Sequence, residues 1–243
     1  MNTSFITPEW PAPANIRSVM TTRLGGVSRR PYDSLNLGGH VGDVSTAVDA
    51  NRQMITEQLH LPTQPKWLHQ IHSATALNST SSECEGDACF SHRVGDVCAV
   101  MTADCLPLLV CNRKGTEIAA IHAGWRGLLA GVIESTINAL DASPNELMVW
   151  LGAAIGPNQF EVGSEVRQQF VDEDKRALNA FKPSANTEHW LADIYQLARI
   201  RLNRLGVRAI YGGGLCTYSD SERFFSYRRD GVTGRMGSLI WME

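Results

Sequence analysis

Apolar residues along this chain recur at two spacings, and the two alternate. "IRSVMTTRLGGVS" alternates apolar and polar positions and then breaks at Gly25-Gly26, which predicts a strand and a turn. "YDSLNLGGHVGD" is rich in Gly, Asn and Asp and reads as a loop. "STAVDANRQMITEQLHL" places Val48, Ile55 and Leu59 near one helical face behind Ser45, a candidate N-cap. "PKWLHQIHSATAL" has period two and predicts a strand with Leu68, Gln70 and His72 on one face and Trp67, His69 and Ile71 on the other. His69 and His72 should therefore not reach the same site.

"DVCAVMTADCLPLLVCN" holds two apolar runs around the polar "TAD". Pro107 lacks a ladder donor and suits a strand start or edge. "TEIAAIHAG" predicts a buried strand ending at His122, and "GLLAGVIESTINAL" one amphipathic helix. Farther on, "ELMVWLGAAIG" reads as a strand and "GSEVRQQFV" as a helix capped at Ser164. "LADIYQLARIRLNRLG" reads as a helix with Asp193 and Gln196 as a capping box and Gly206 as its stop. "VRAIYGGG", "FFSYRRD" and "RMGSLIWME" read as strands. No linker, repeat or low-complexity segment interrupts the alternation, which predicts one α/β domain with mixed sheets over residues 1–243.

Composition narrows the class. Of 243 residues, 43% are hydrophobic and 19% charged, and the net charge is −3, so no footprint for nucleic acid or an anionic membrane is present. The first residues lack the basic start and apolar core of a signal peptide, and no apolar run nears the ~18 residues that span a bilayer. A cytoplasmic protein is expected. The six cysteines form no Cys-x-x-Cys pair, so no zinc ribbon or thioredoxin-like site is indicated. Cys98 and Cys111 read as buried apolar residues, Cys84 and Cys89 as incidental thiols in a polar loop.

Three groups at expected strand ends suit a metal: His72, Cys105 and His122. Two imidazoles and a thiolate make a zinc set that leaves a fourth position for water or substrate, the catalytic pattern. A nucleophilic Cys105 with His122 or His72 as base, oriented by Asp104 or Asp87, and plain core filling are the alternatives. Arg23, Arg126, Arg228, Arg229 and Arg235 lie beside small residues at loop edges, and several guanidinium forks there suit an anionic substrate group.

"TTRLGGVS", "YDSLNLG", "QIH", "MTADCLPLL", "AAIHAGWRG", "AIGP", "FEVG", "FFSYRRD" and "GRMGSLIW" together resemble the laccase-domain family, also called YfiH-like or multicopper polyphenol oxidase. The resemblance runs from about Trp10 to Trp241. It implies a single α/β domain with mixed sheets between helical layers, α/β/β/α, likened to cysteine hydrolases. It implies zinc on His72, Cys105 and His122, with copper possible in vitro, and His69 as a non-ligand. It implies phosphorolysis of adenosine, inosine, guanosine or methylthioadenosine to free base and ribose 1-phosphate, with adenosine deamination in some members. Editing of a peptidoglycan precursor by an amidase is the second activity implied.

On that basis Cys105, His72, His122 and Asp104 are expected to be catalytic. Arg23, Arg228 and Arg235 are expected to hold phosphate, Asn36 and Ser226 ribose or base, and Asp87 matches a family aspartate near the substrate. Members are often monomers acting on small molecules. Two positions depart from the family pattern: Ser73 stands where Gly is usual, and Leu215 where Arg usually precedes the late cysteine, Cys216. A laccase role fits poorly, because a multicopper site uses roughly ten imidazoles and this chain has seven His and no His-x-His pair.

Overall fold

The structure is a computed structural model that describes residues 4–243. In chain order it runs β1 (Phe5–Ile6), β2 (Ile16–Thr21), α1 (Ser45–Gln58), β3 (Ala76–Asn78), β4 (Ala88–Ser91), β5 (Val97–Thr102), β6 (Leu106–Asn112) and β7 (Ile118–Ala123). It continues with α2 (Trp125–Ala130), α3 (Val132–Asn138), β8 (Leu147–Leu151), β9 (Glu161–Gly163) and α4 (Ser164–Glu173). The last elements are β10 (Phe181–Pro183), β11 (His189–Ala192), α5 (Ile194–Leu205), β12 (Ala209–Gly212), α6 (Tyr227–Asp230) and β13 (Met236–Met242).

Two sheets carry the architecture. One is antiparallel, in the order β1-β2-β13-β5; the other is mixed, in the order β12-β8-β6-β7-β4-β3. A small sheet, β10-β11-β9, flanks them. Period-two alternation sorts the side chains into layers. In β5, Cys98 and Val100 face Leu109 and Cys111 of β6 and Ile118 and Ala120 of β7, filling the space between the sheets. Val97, Ala99 and Met101 point the other way, toward Ile55 of α1. On the far face of the mixed sheet, Leu106, Leu108, Ala119 and Ile121 meet Leu128, Ile133, Phe170 and Leu197 from the helices. The expected α/β/β/α layering is what forms. Each fully buried Leu or Ile in these layers stabilises the fold by about 1.5–3 kcal/mol.

Three elements differ from the sequence pattern. The expected strand at "PKWLHQIHSATAL" is a loop touching its neighbours through single bridges, Lys66 to Cys98 and His69 to Glu85, before the short β3. The helix expected at "GLLAGVIESTINAL" is two helices, broken where Gly131 takes a left-handed φ of 94°. "FFSYRRD" forms not a strand but the turn-long α6, because Ser226 caps it by accepting the Arg229 N–H at 3.2 Å. Of the expected capping box one half forms: Asp193 accepts the Gln196 N–H at 3.0 Å, while its own N–H goes to the Ala180 carbonyl at 2.8 Å; Gly206 stops α5 at φ 97°, as expected. Ser45 and Ser164, by contrast, open their helices without capping them. Cys89 lies wholly buried in β4 rather than in a polar loop.

Candidate active site

"MTADC" is the corner at which the chain leaves one sheet and enters the other. β5 ends at Thr102 in the antiparallel sheet, residues 103–105 cross, and β6 begins at Leu106 in the mixed sheet. Asp104 makes the corner with a φ of 88°. Cys105 follows it at the mouth of the space between the sheets. His122 shares the parity of Ile118 and Ala120, so it leaves β7 on the inter-sheet side. His72 arrives from the 66–75 loop, also with a positive φ, 63°.

The ligand atoms of His72, Cys105 and His122 all lie within 4.8 Å of one another, the one such His/Cys/Asp/Glu group among the described residues. Cys105 Sγ is 3.7 Å from His72 Nε2, and the two imidazole rings meet edge to face at 4.8 Å. Tetrahedral zinc with these donors spaces them about 3.3–3.6 Å apart, so the cluster fits with small closure. Gly124 confirms that the space is kept open: a Cβ there would lie 2.7 Å from His72 Cδ2 and 3.0 Å from Cys105 Sγ.

Asp87 sits behind the cluster, fully buried. Its Oδ1 accepts from His122 Nδ1 at 2.7 Å and from the His72 N–H at 3.0 Å. Its Oδ2 accepts the Ser73 N–H at 2.6 Å, the Ser73 hydroxyl at 2.8 Å and the Ile71 N–H at 3.3 Å. One carboxylate thus orients the His122 ring and fixes the backbone of His72, and Ser73, the departure from the family's Gly, adds a donor to it. Burial opposes the charge on Asp87, but the hydrogen bond and charge of His122, with help from Ser73, bring it down to about 2. The ionised carboxylate therefore accepts the hydrogen bond from His122 Nδ1–H, which keeps the proton on the ring and aims Nε2 at the cluster. Burial raises the Cys105 thiol; the His122 charge, with hydrogen bonds from both imidazoles, overcomes it and brings Cys105 down to about 6. Against burial, the Cys105 thiolate and Asp87 push His122 up to about 9. The thiolate form is the form that ligates metal.

The cluster opens into a cavity of about 560 Å³. Trp125, Ile155, Phe160, Ile194 and Tyr227 supply its apolar wall, and His40, Arg126, Arg228 and Arg235 its cationic and polar edge. Arg228 Nη1 is anchored on the Glu161 carbonyl at 2.8 Å, and Arg235 Nη1 on those of Thr233 and Gly234, both at 3.0 Å. Arg126 lies over the Trp125 ring at 4.3 Å. None of these three arginines pairs with a carboxylate among the described residues.

Several expected substrate contacts stand elsewhere. Asp87 is behind the His/Cys/His cluster, not on the cavity wall. Arg23 ties loops together, donating from Nε to the Asp33 carbonyl at 2.9 Å and from Nη1 to that of Ser221 at 3.1 Å. Asn36 is fully buried and bonds Gly38, Asp43 and the Arg235 N–H. Ser226 is fully buried in its capping role. Asp104, Arg228 and Arg235 do line the cavity. His69 pairs with exposed Glu85 at 3.5 Å, away from the cluster. Leu215 packs against the inter-sheet core and does not line the cavity.

The sequence reading missed His40, Gly124 and Gln70. Gln70 locks the His72 loop to β5, donating to the Met101 carbonyl and accepting the Met101 N–H, both at 2.8 Å. Its place two residues before His72 was the available signal.

These features define an α/β domain with one His/Cys/His donor cluster open to a cavity of ligand size. The chain belongs to the family described as multi-copper polyphenol oxidoreductase laccase, whose sequence model matches residues 17–243. Its relatives include a purine nucleoside phosphorylase of Pseudomonas aeruginosa, 54% identical over 241 residues and 99% of both chains. The purine nucleoside phosphorylase YfiH of Escherichia coli is 52% identical over 98% of both. A crystal structure of a Neisseria meningitidis protein superposes with a TM-score of 0.95 at 48% identity, covering 99% of this chain and 100% of that one. YlmD of Geobacillus stearothermophilus superposes at 0.90 with 27% identity, over 100% of this chain and 97% of that one.

Proposed function

We propose that this chain is a zinc-dependent purine nucleoside phosphorylase. The observation that carries the reading is the sharing of one cavity by the donor trio, an aromatic wall and three arginines without carboxylate partners. The names of the relatives at 52–54% identity point the same way. The donor chemistry, two nitrogens and a thiolate, is that of zinc.

Phosphorolysis joins a phosphate oxygen to the anomeric carbon of the ribose and breaks the bond to the purine nitrogen. Trp125 and Phe160 offer flat faces to the purine, and Ile155 and Ile194 exclude water beside it. Arg126, Arg228 and Arg235 concentrate phosphate and orient it through their remaining N–H donors. Desolvation against the wall and the nearby Arg235 charge lower His40, so it is neutral at pH 7 and offers the departing purine a hydrogen bond. Zinc, when bound by His72, Cys105 and His122, supplies Lewis-acid polarisation of a substrate oxygen. On this reading Cys105 is a ligand and not a nucleophile.

Cytoplasmic monomeric action belongs to the same proposal. All six cysteines are free thiols, as a reducing compartment keeps them, and among the described residues no helix is long and apolar enough to cross a membrane. The test is chromatography of products from adenosine with and without phosphate. Adenine and ribose 1-phosphate formed only with phosphate support the proposal. Inosine formed regardless of phosphate replaces it with deamination, and no product in either tube overturns it.

A further inference from the structure

Asp104 was expected to take part in the chemistry. Its surroundings give it different work. It is 9% exposed, and both carboxylate oxygens are already engaged. Oδ1 accepts the Thr217 hydroxyl at 2.6 Å and Oδ2 accepts the Arg228 backbone N–H at 2.6 Å. Its own carbonyl accepts the Ile155 N–H at 2.9 Å. One residue therefore gathers three segments: the corner that delivers Cys105, the segment after β8 that carries Ile155, and the 217–228 segment that carries Arg228. Arg229 closes the same segment on itself, donating from Nη1 to the carbonyls of Thr217 and Tyr218 at 2.8 and 2.9 Å.

The Arg228 guanidinium is held at its far end by the Glu161 carbonyl and lies 5.6 Å over the Phe160 ring. Its backbone end is held by Asp104. Among the described residues Asp104 is the acceptor for the Arg228 N–H at the start of α6, so the carboxylate helps set where the guanidinium enters the cavity. A neutral amide at this position keeps an acceptor for Thr217 but turns a donor toward the Arg228 N–H, leaving that contact repulsive.

We infer that Asp104 is a positioning residue that couples the Cys105 corner to Arg228 and so sets the phosphate-binding arm of the site. This rests on the phosphorylase reading for the identity of the anion, and phosphate binding can be measured without turnover. The experiment is a double-mutant cycle on the zinc-loaded protein with Asp104→Asn, Arg228→Ala and both together. It reads the dissociation constant of inorganic phosphate by calorimetry, the phosphate and nucleoside KM, kcat, and zinc affinity by chelator competition.

Asp104→Asn is expected to weaken phosphate binding and raise phosphate KM about tenfold, the size of a lost hydrogen bond to a charged group. Nucleoside KM and zinc affinity stay unchanged. In the Arg228→Ala background the same change has no further effect on phosphate. Thr217→Val, which removes one of the two carboxylate contacts and leaves Asp104 in place, is expected to weaken phosphate binding about threefold. This variant serves if Asp104→Asn does not fold. Additive losses in the double variant, or loss of kcat at saturating phosphate, overturn the inference and give Asp104 a structural or directly catalytic part. A wild type that binds phosphate but releases no ribose 1-phosphate overturns the phosphorylase reading alone, and the binding cycle still decides the role of Asp104. A wild type that binds no phosphate overturns both.

Discussion

The ligand cluster and the arginine rim face one cavity but are built by opposite means. His122 leaves the end of a buried strand at 4% exposure, and Cys105 leaves the corner between two sheets. Asp87 fixes the His122 ring and the backbone of His72, and Gln70 pins the His72 loop to β5. The rim, by contrast, is carried by the first turn of α2, the one-turn α6 and the loop before β13. Arg126 and Arg228 are exposed, and their anchors are ring faces and backbone carbonyls. A metal demands donors placed to a fraction of an ångström, which strands and a buried carboxylate provide. An anion is held by charge over longer range and tolerates mobile guanidiniums. Substitutions in the cluster should therefore abolish metal binding, whereas substitutions in the rim should change substrate affinity.

The largest expected effect breaks the cluster itself. Cys105→Ala should lose bound zinc and reduce turnover by more than the roughly 100-fold that an outer partner of a ligand can cost; elemental analysis and initial rates check both. Gly124→Ala comes next. Its φ of −68° is ordinary, so the fold should remain by circular dichroism, yet the added Cβ crowds His72 and Cys105. Zinc affinity by chelator competition should fall about 10- to 100-fold.

Metal removal sharpens the same side of the comparison. In stripped protein Cys105 carries a thiol brought down to about 6. Its alkylation, followed at that residue by peptide mass, should be constant above pH 6 and fall about tenfold per unit below it. Zinc should suppress it. On the rim, Arg126→Ala should raise phosphate KM about tenfold while zinc affinity and kcat hold, read from steady-state kinetics at varied phosphate. The smallest effect is expected outside the cavity. Arg23→Ala should leave phosphate KM unchanged and cost about 1 kcal/mol of stability through its lost loop contacts, measurable by urea unfolding.

The same contrast explains what the sequence made legible. Near-continuous apolar runs revealed β5, β6, β7 and β13 because those strands are buried on both faces. Cys105 and His122 stood out as polar groups at the ends of such runs. The rim was less legible. An arginine beside glycine looks the same whether it faces a cavity, as Arg235 does, or laces loops together, as Arg23 does. Asp87 suggested substrate because its pairing with His122, 35 residues away, is set by strand register and not by spacing. The left-handed turn at Gly131 was invisible to periodicity, since Leu128, Val132 and Thr136 keep a helical spacing across the break. Gly124 carries no side chain to read, and its importance is the volume it leaves empty.

The central claim is that phosphorolysis runs in the cavity beside the His72–Cys105–His122 cluster. Its most direct test adds zinc back stepwise to chelated protein and measures phosphate-dependent release of ribose 1-phosphate at each step. The account predicts activity rising from near zero and breaking sharply at one equivalent per chain. Full activity in the stripped protein, or activity indifferent to added zinc, would contradict it.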